Sequence, residues 1–503
     1  MRTKVTVVID EKIGTVNPNI FGHFAEHLGR CIYGGIYVGE DSYIPNTRGI
    51  RNDVVTALKK ISPPVLRWPG GCFADDYHWR DGIGRRDKRP KTINIHWGGV
   101  IENNHFGTHE FIDFCRLIGA EPYICLNVGS GSPKEARDWI EYCNFSGGST
   151  LARERGVNGA SEPFKVKYWG IGNELWGCGG YWDPRAYATE VKRYLTFIHG
   201  FSVFTIACGP RGDNLFELRR DWVLEFFEEF ERRHHPQFFP IDGFALHFYT
   251  RGPRAGGDTN FSHPEYYWML RRTSEMEDRI LQVRAAMDAY DPQRKVGLVI
   301  DEWGSWHPQA HKENGLWQEN TVRDALVAAL NLDIFVRHAD KVSMANIAQT
   351  VNVLQAMILT NEEKMLVTPS YHVYDLYKEH QSGTSLRILI DCPEIGFRSE
   401  GEELSIPAVS GSASLKDNTL FLTLTNISLN EETEVDLVLL SSDVIKVKRA
   451  VARELRGSDV RSYNSFDEPD AVKPKMTGIS VKDVQRRKVT LPAHSVSAIQ
   501  IEF

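Results

Sequence analysis

Two glutamates stand where apolar runs stop. Trp169-Gly170-Ile171-Gly172-Asn173-Glu174 closes one run, and Leu298-Val299-Ile300-Asp301-Glu302-Trp303 closes another. Taken alone, a glutamate there reads as a solvated strand end, because strands commonly finish in polar turn residues. A pair that converges in space reads differently. One carboxyl group kept protonated can deliver its proton to a glycosidic oxygen while an ionised partner attacks the anomeric carbon, the equipment of glycoside hydrolysis. The two residues are 302 − 174 = 128 positions apart, so their convergence depends on the fold.

Other chemical spellings fit their surroundings less well. His23-Phe24-Ala25-Glu26-His27 matches H-x-x-E-H, which needs a helix to turn both histidines onto one metal. A strand-like Ile20-Phe21-Gly22 precedes it and Gly29 follows, so zinc metallohydrolase stands as a rival and Glu26 is read as lining a pocket. Gly170-Ile171-Gly172 lacks the third glycine of a dinucleotide fingerprint, since Leu175 takes that place. Gly129-Ser130-Gly131-Ser132-Pro133 lacks the lysine of a phosphate loop, and no stretch reads G-x-S-x-G. A non-catalytic carbohydrate-binding protein is the rival from another class, but a lapsed site is expected to lose at least one of the two glutamates.

The elements that must carry these residues follow a βα rhythm. At about 150 residues per domain, a chain of 503 residues holds two or three domains. Eight apolar runs read as buried parallel strands: 20–24, 65–68, 122–128, 167–171, 204–208, 243–249, 296–302 and 342–347. Between them, Val54, Leu58 and Ile61, then Phe111, Phe114, Cys115 and Ile118, then Met276, Ile280, Val283 and Met287 keep helical spacing. Eight repeats favour a (β/α)8 barrel, in which strands four and seven face each other across the mouth and active residues sit at the carboxyl ends. After about residue 382 the pattern becomes alternating, as in Leu420-Phe421-Leu422-Thr423-Leu424-Thr425, which predicts an antiparallel β-sandwich. Val5-Thr6-Val7-Val8-Ile9 alternates likewise, so the expected division is a barrel over 17–381 and a sandwich from 1–16 plus 382–503.

Composition narrows the partners. With 59 basic against 66 acidic residues the net charge is −7, which lacks the basic excess that nucleic acid demands. No run approaches the ~20 apolar residues of a membrane span, and the first residues carry no signal-peptide pattern, so no membrane is expected and the location is read as cytoplasmic. Eight cysteines without a C-x-x-C pair are read as reduced thiols. The 12 Trp, 18 Tyr and 25 Phe include several beside polar residues, where rings could stack on sugars or simply pack a core.

Four motifs in order, Phe21 to His27, Arg67-Trp68-Pro69-Gly70-Gly71-Cys72-Phe73, Tyr77 to Gly84, and Trp169 to Gly177, resemble glycoside hydrolase family 51, the α-L-arabinofuranosidases. The resemblance spans essentially the whole chain. It implies a retaining, two-glutamate enzyme without cofactor or metal, acting on arabinose-containing oligosaccharides, and a homo-oligomer, commonly a hexamer. Residue by residue it implies Glu174 as acid/base and Glu302 as nucleophile. It makes Asn173, Glu26, Gln349 and Cys72 contacts of the sugar, and Arg67 and Tyr249 contacts of the nucleophile. Trp97 and Trp306, with Trp303, are read as walls of the site. From the residues alone, Arg67 reads equally as an ion-pair partner of Asp75 or Asp76, and Tyr249 as a strand-end aromatic. Burial beside Trp169 or Trp176 is expected to keep Glu174 protonated. A β-glucan endoglucanase of the same family is the substrate-level rival.

Overall fold

The computed structural model describes residues 1–212, 220–232 and 239–503. Eight parallel strands close into a barrel in chain order: β1 Gly22–Phe24, β2 Val65–Trp68, β3 Glu121–Leu126, β4 Tyr168–Ile171, β5 Phe204–Ala207, β6 Gly243–Thr250, β7 Gly297–Ser305 and β8 Val342–Ala348. The first strand is shorter than its apolar run. Pro18–Phe21 form a 3-10 turn, started by the Asn17 side chain accepting from the Asn19 backbone N–H, so pairing begins only at Gly22. The seventh runs three residues past Glu302 to Ser305.

Helices cover the outside of the barrel with the stripes their spacing dictates. Asn52–Ile61 buries Val54, Leu58 and Ile61; Thr108–Ile118 buries Phe111, Phe114, Cys115 and Ile118; His263–Asp288 buries Met276, Ile280, Val283 and Met287. Each such side chain contributes about 1.5–3 kcal/mol by leaving water. The second helix stops at Gly119, whose left-handed φ of 81° a residue with a Cβ adopts only with strain.

The sheet domain holds a nine-stranded sheet around its own core of Val5, Val7, Leu386, Leu422, Leu437 and Ile501, with a separate hairpin of Glu394–Ser399 and Glu402–Pro407. Its N-terminal strand Arg2–Thr15 pairs antiparallel with Thr384–Asp391 but parallel with Thr433–Leu440. The remaining pairs in that sheet are antiparallel. Asp333, buried on the barrel helix Val322–Arg337, accepts from Tyr377 and from Ser410 and Ser412 of the sheet domain. That polar cluster fastens the sheet to the barrel, leaving the barrel mouth to the loops that follow the strands.

Candidate active site

Glu302 lies on β7 and is buried. Arg67, at the end of β2, donates from Nη1 to Glu302 Oε1 at 2.8 Å, and Tyr249 on β6 donates to Oε2 at 2.7 Å. His247 Nδ1 stands 3.6 Å from Oε1. Burial alone would raise this carboxyl, but the charges of His247 and Arg67 and the two hydrogen bonds outweigh it and hold Glu302 below its ordinary range. The ion-pair partners of Arg67 are Glu302 and Asp301, the latter 3.2 Å from Nε, in place of the Asp75 or Asp76 alternative.

Both acids reach one guanidinium because β7 is irregular. Leu246 pairs with Ile300 but His247 pairs with Glu302, so Asp301 is an extra residue in the ladder. Such a bulge breaks the two-residue alternation that would otherwise send neighbouring side chains to opposite faces. Asp301 also accepts from Tyr123 and Asn346, each at 2.8 Å.

Glu174 follows β4 in a loop and has a left-handed backbone, φ 41°. Its Oε1 lies 3.0 Å from His247 Nδ1. Glu174, His247 and Glu302 thus each bring an atom within 4.8 Å of the other two. Burial would lower the His247 imidazole, but Glu302 and Glu174 raise it above its usual value. His247 escaped the sequence reading, although it sits two residues before Tyr249 and so shares that residue's face of the strand. Asn173 is held from three sides: its Oδ1 accepts from Arg67 Nη2 at 2.6 Å, its backbone N–H donates to Asp75 at 2.9 Å, and its Nδ2 donates to Cys178 Sγ at 3.8 Å. Burial pushes Asp75 up to about 7 even though three backbone N–H groups favour its charge.

A second cluster gathers on the other side of Glu302. Glu26, after β1, accepts from Trp97 Nε1 at 2.9 Å, from Gln349 Nε2 at 3.0 Å and from the Phe73 backbone at 3.1 Å. Burial, then the charge of Glu302, pushes Glu26 up to about 7. The Pro69-Gly70-Gly71 turn runs between the two carboxylates. A Cβ at Gly70 would stand 2.9 Å from Glu26 Oε1 and one at Gly71 3.0 Å from Glu302 Oε1, so this approach requires glycine. Trp97 rides on the hairpin Thr92–Asn94 and Val100–Glu102, and Trp306 meets the Tyr249 ring edge-on at 5.3 Å.

Several expectations are corrected. Cys72 is not a reduced thiol: it forms a disulfide with Cys178, a partner concealed by a sequence separation of 106. Trp169 does not flank Glu174; its ring packs on Trp139 between barrel and helices. Trp303 likewise points outward, against Phe335. In the H-x-x-E-H stretch the three side chains part company. His27 pairs with Glu102, Glu26 faces the barrel mouth, and His23 packs on Tyr374 with both ring nitrogens buried and without a hydrogen-bond partner among the described residues.

The chain matches two family models, the α-L-arabinofuranosidase 1 domain over residues 57–203 and the α-L-arabinofuranosidase C-terminal domain over 301–495. It is 42% identical over 509 aligned residues to a protein of Bacteroides ovatus named intracellular exo-α-L-arabinofuranosidase, covering 99% of this chain and 95% of that one. The crystal structure of the GH51 arabinofuranosidase from Xanthomonas axonopodis pv. citri superposes with a TM-score of 0.91 at 42% identity, over 100% of both chains. The α-L-arabinofuranosidase of Thermotoga maritima, solved as an arabinose complex, gives 0.86 at 31% identity, also over 100% of both.

Proposed function

The chain belongs to glycoside hydrolase family 51, the α-L-arabinofuranosidases, and we propose that it is an exo-acting enzyme that releases L-arabinose from arabinose-containing oligosaccharides with retention of configuration. Glu302 is the nucleophile and Glu174 the acid/base. Asn173, Glu26, Gln349, Trp97, Trp306 and the disulfide-bonded Cys72 shape the sugar pocket, while Arg67 and Tyr249 hold Glu302. The observation that carries this is the meeting of the two glutamates, within 4.8 Å at their nearest ligand atoms, around His247. Inverting enzymes keep their carboxyl groups about 6.5–9.5 Å apart to admit a water, whereas retaining ones hold them at about 5–5.5 Å. So close an approach supports direct attack.

The steps follow from the contacts. Glu174 gives its proton to the glycosidic oxygen as Glu302 forms a bond to the anomeric carbon, and the aglycone leaves as an alcohol. Glu174, now ionised, takes a proton from water, whose oxygen displaces Glu302. In the first step negative charge passes from Glu302 to Glu174, and His247 contacts both. The imidazole therefore faces one net carboxylate charge before and after glycosylation, which keeps the reorganisation small. Proton NMR of the first-formed product tests the proposal: the α-anomer of arabinose is expected before mutarotation, and initial β-anomer would overturn it. A panel of aryl α-L-arabinofuranoside, β-glucoside and β-xyloside tests the substrate, with preference for the glucoside favouring the endoglucanase rival. No helix among the described residues is long and apolar enough to cross a membrane. We read the enzyme as a cytoplasmic homo-oligomer, a hexamer, supported by the family resemblance and by the relative named intracellular; a monomer in sedimentation equilibrium would remove the assembly.

A further inference from the structure

The Cys72–Cys178 disulfide ties the turn after β2 to the loop after β4, four residues beyond Glu174. Five of the six other cysteines are buried, but Cys72 and Cys178 are only half-buried. Cys178 Sγ is 3.6 Å from Glu174 Oε2. Cys72, Cys178 and Glu174 each bring a ligand-type atom within 4.8 Å of the other two.

A disulfide is a poor metal ligand, whereas the thiolates it yields are strong ones. A dithiol reductant breaks the S–S bond, leaving two protein S–H groups and itself becoming a cyclic disulfide. Two thiols beside a carboxylate form a donor set suited to Zn²⁺, with His247 on the far side of the same carboxylate. Negative charge on Glu174 opposes free thiolates there, but a bound divalent cation expels the thiol protons, so one zinc enters as two protons leave.

We propose that reduction of Cys72–Cys178 opens a zinc site on the acid/base, in which both thiolates and the Glu174 carboxylate bind one Zn²⁺ and stop turnover. Inhibition rests on the proposed acid/base role of Glu174: a carboxylate that coordinates zinc can no longer carry a proton. The oxidised enzyme lacks the thiolates and keeps working. In a reducing compartment the pair would then report thiol state and zinc together.

The test compares full-length enzyme, oxidised or reduced with a water-soluble phosphine and desalted without air, as zinc is added. Expected are one zinc per reduced chain and a rate that falls about tenfold when free zinc is about ten times its dissociation constant. A chelator should reverse the loss. With cobalt(II) in place of zinc, a thiolate-to-metal charge-transfer band should appear in the near ultraviolet for the reduced enzyme only. Cys178→Ser should abolish that band and the zinc sensitivity, the latter read as the ratio of rates with and without zinc, so a changed basal rate does not enter. Where the variant fails to fold, the wild-type cobalt spectrum decides. Equal zinc inhibition of both redox forms would put the metal on Glu174, His247 and Glu302 and overturn the proposal, as would cobalt binding without the band or no binding at all. The spectrum needs no turnover, so it reads out even if the arabinofuranoside assignment fails.

Discussion

Replacing Glu26 with glutamine should stabilise the fold and impair the enzyme. Burial and the Glu302 charge lift this carboxyl from 4.5 to about 7. A carboxyl whose folded value is raised binds its proton more tightly in the folded state, so stability falls as pH rises from about 4.5 through 7 and is level above. The interval between 4.5 and about 7, at about 1.36 kcal/mol for each pH unit, costs the native state about 3 kcal/mol at pH 8. Glutamine removes that cost. Its oxygen can keep the bonds from Phe73 and Trp97, and its amide can face the Oε1 of Gln349, which is buried without a donor, once that side chain turns over.

For 503 residues unfolding together, about 2.1 cal/mol/K per residue gives an unfolding entropy near 1 kcal/mol/K, so about 3 kcal/mol shifts Tm by about 3 °C. Scanning calorimetry of Glu26→Gln against wild type should show a gain of about that size at pH 8 that vanishes near pH 4.5. A gain independent of pH, or a loss at pH 8, would refute the assignment of the strain to a buried charge. The same variant should bind arabinofuranosides more weakly, raising KM, because it removes the carboxylate proposed to accept from the sugar.

Glu302→Ala should abolish turnover of every substrate, and azide should restore an aryl arabinofuranoside reaction with inverted product; wild-type-like rates would take the nucleophile role from Glu302. Glu174→Ala should retain glycosylation by a nitrophenyl arabinoside far better than by an oligosaccharide, because only the latter needs a proton, and equal losses in pre-steady-state rates would exclude the acid role. Tyr249→Phe deletes a donor to ionised Glu302, a bond of about 1.5–3 kcal/mol, so the acid limb of kcat/KM should move up by about one to two pH units; an unmoved limb would show that the bond does not set it. Extended dialysis against a strong chelator should leave activity intact, and loss that zinc restores would revive the metallohydrolase reading.

How far the sequence carries depends on the physics of each element. The barrel strands are legible because strands covered on both faces read as unbroken apolar runs, and the helices because their buried stripes keep 3.6-residue spacing. Glu174 and Glu302 stand out in the sequence only as a pair: either alone reads as a solvated strand end, and it is the barrel pattern that brings two such strand ends to one mouth. Asp301 is not: alternation assigns it to the face opposite Glu302, and only the bulge in β7 brings it to Arg67. The disulfide is hidden for another reason, since no local pattern signals which residues of two distant loops the barrel closure brings together. Trp169 and Trp303 show the converse error, in which nearness in sequence to a glutamate suggests a ring beside its carboxylate or lining the site, although the alternation of β4 and β7 turns each ring outward.

The hub of the site is therefore a residue whose own motif is only a strand end. Arg67 donates Nη1 to Glu302 and Nη2 to Asn173 and faces Asp301 from Nε in an ion pair at 3.2 Å, linking β2 to β7 and to the loop after β4. A planar guanidinium fixes the angles between its partners, which a lysine ammonium on a flexible stem does not. Asn173 directly precedes Glu174, so the position of Glu174 relative to Glu302 is set through one rigid group in place of two independent loops. Distance alone would let the glutamates meet, but reaction requires their carboxylates to keep one orientation while charge moves between them. The fork supplies that orientation before any sugar arrives, and a bulge of one residue in β7 is what lets a second acid complete it.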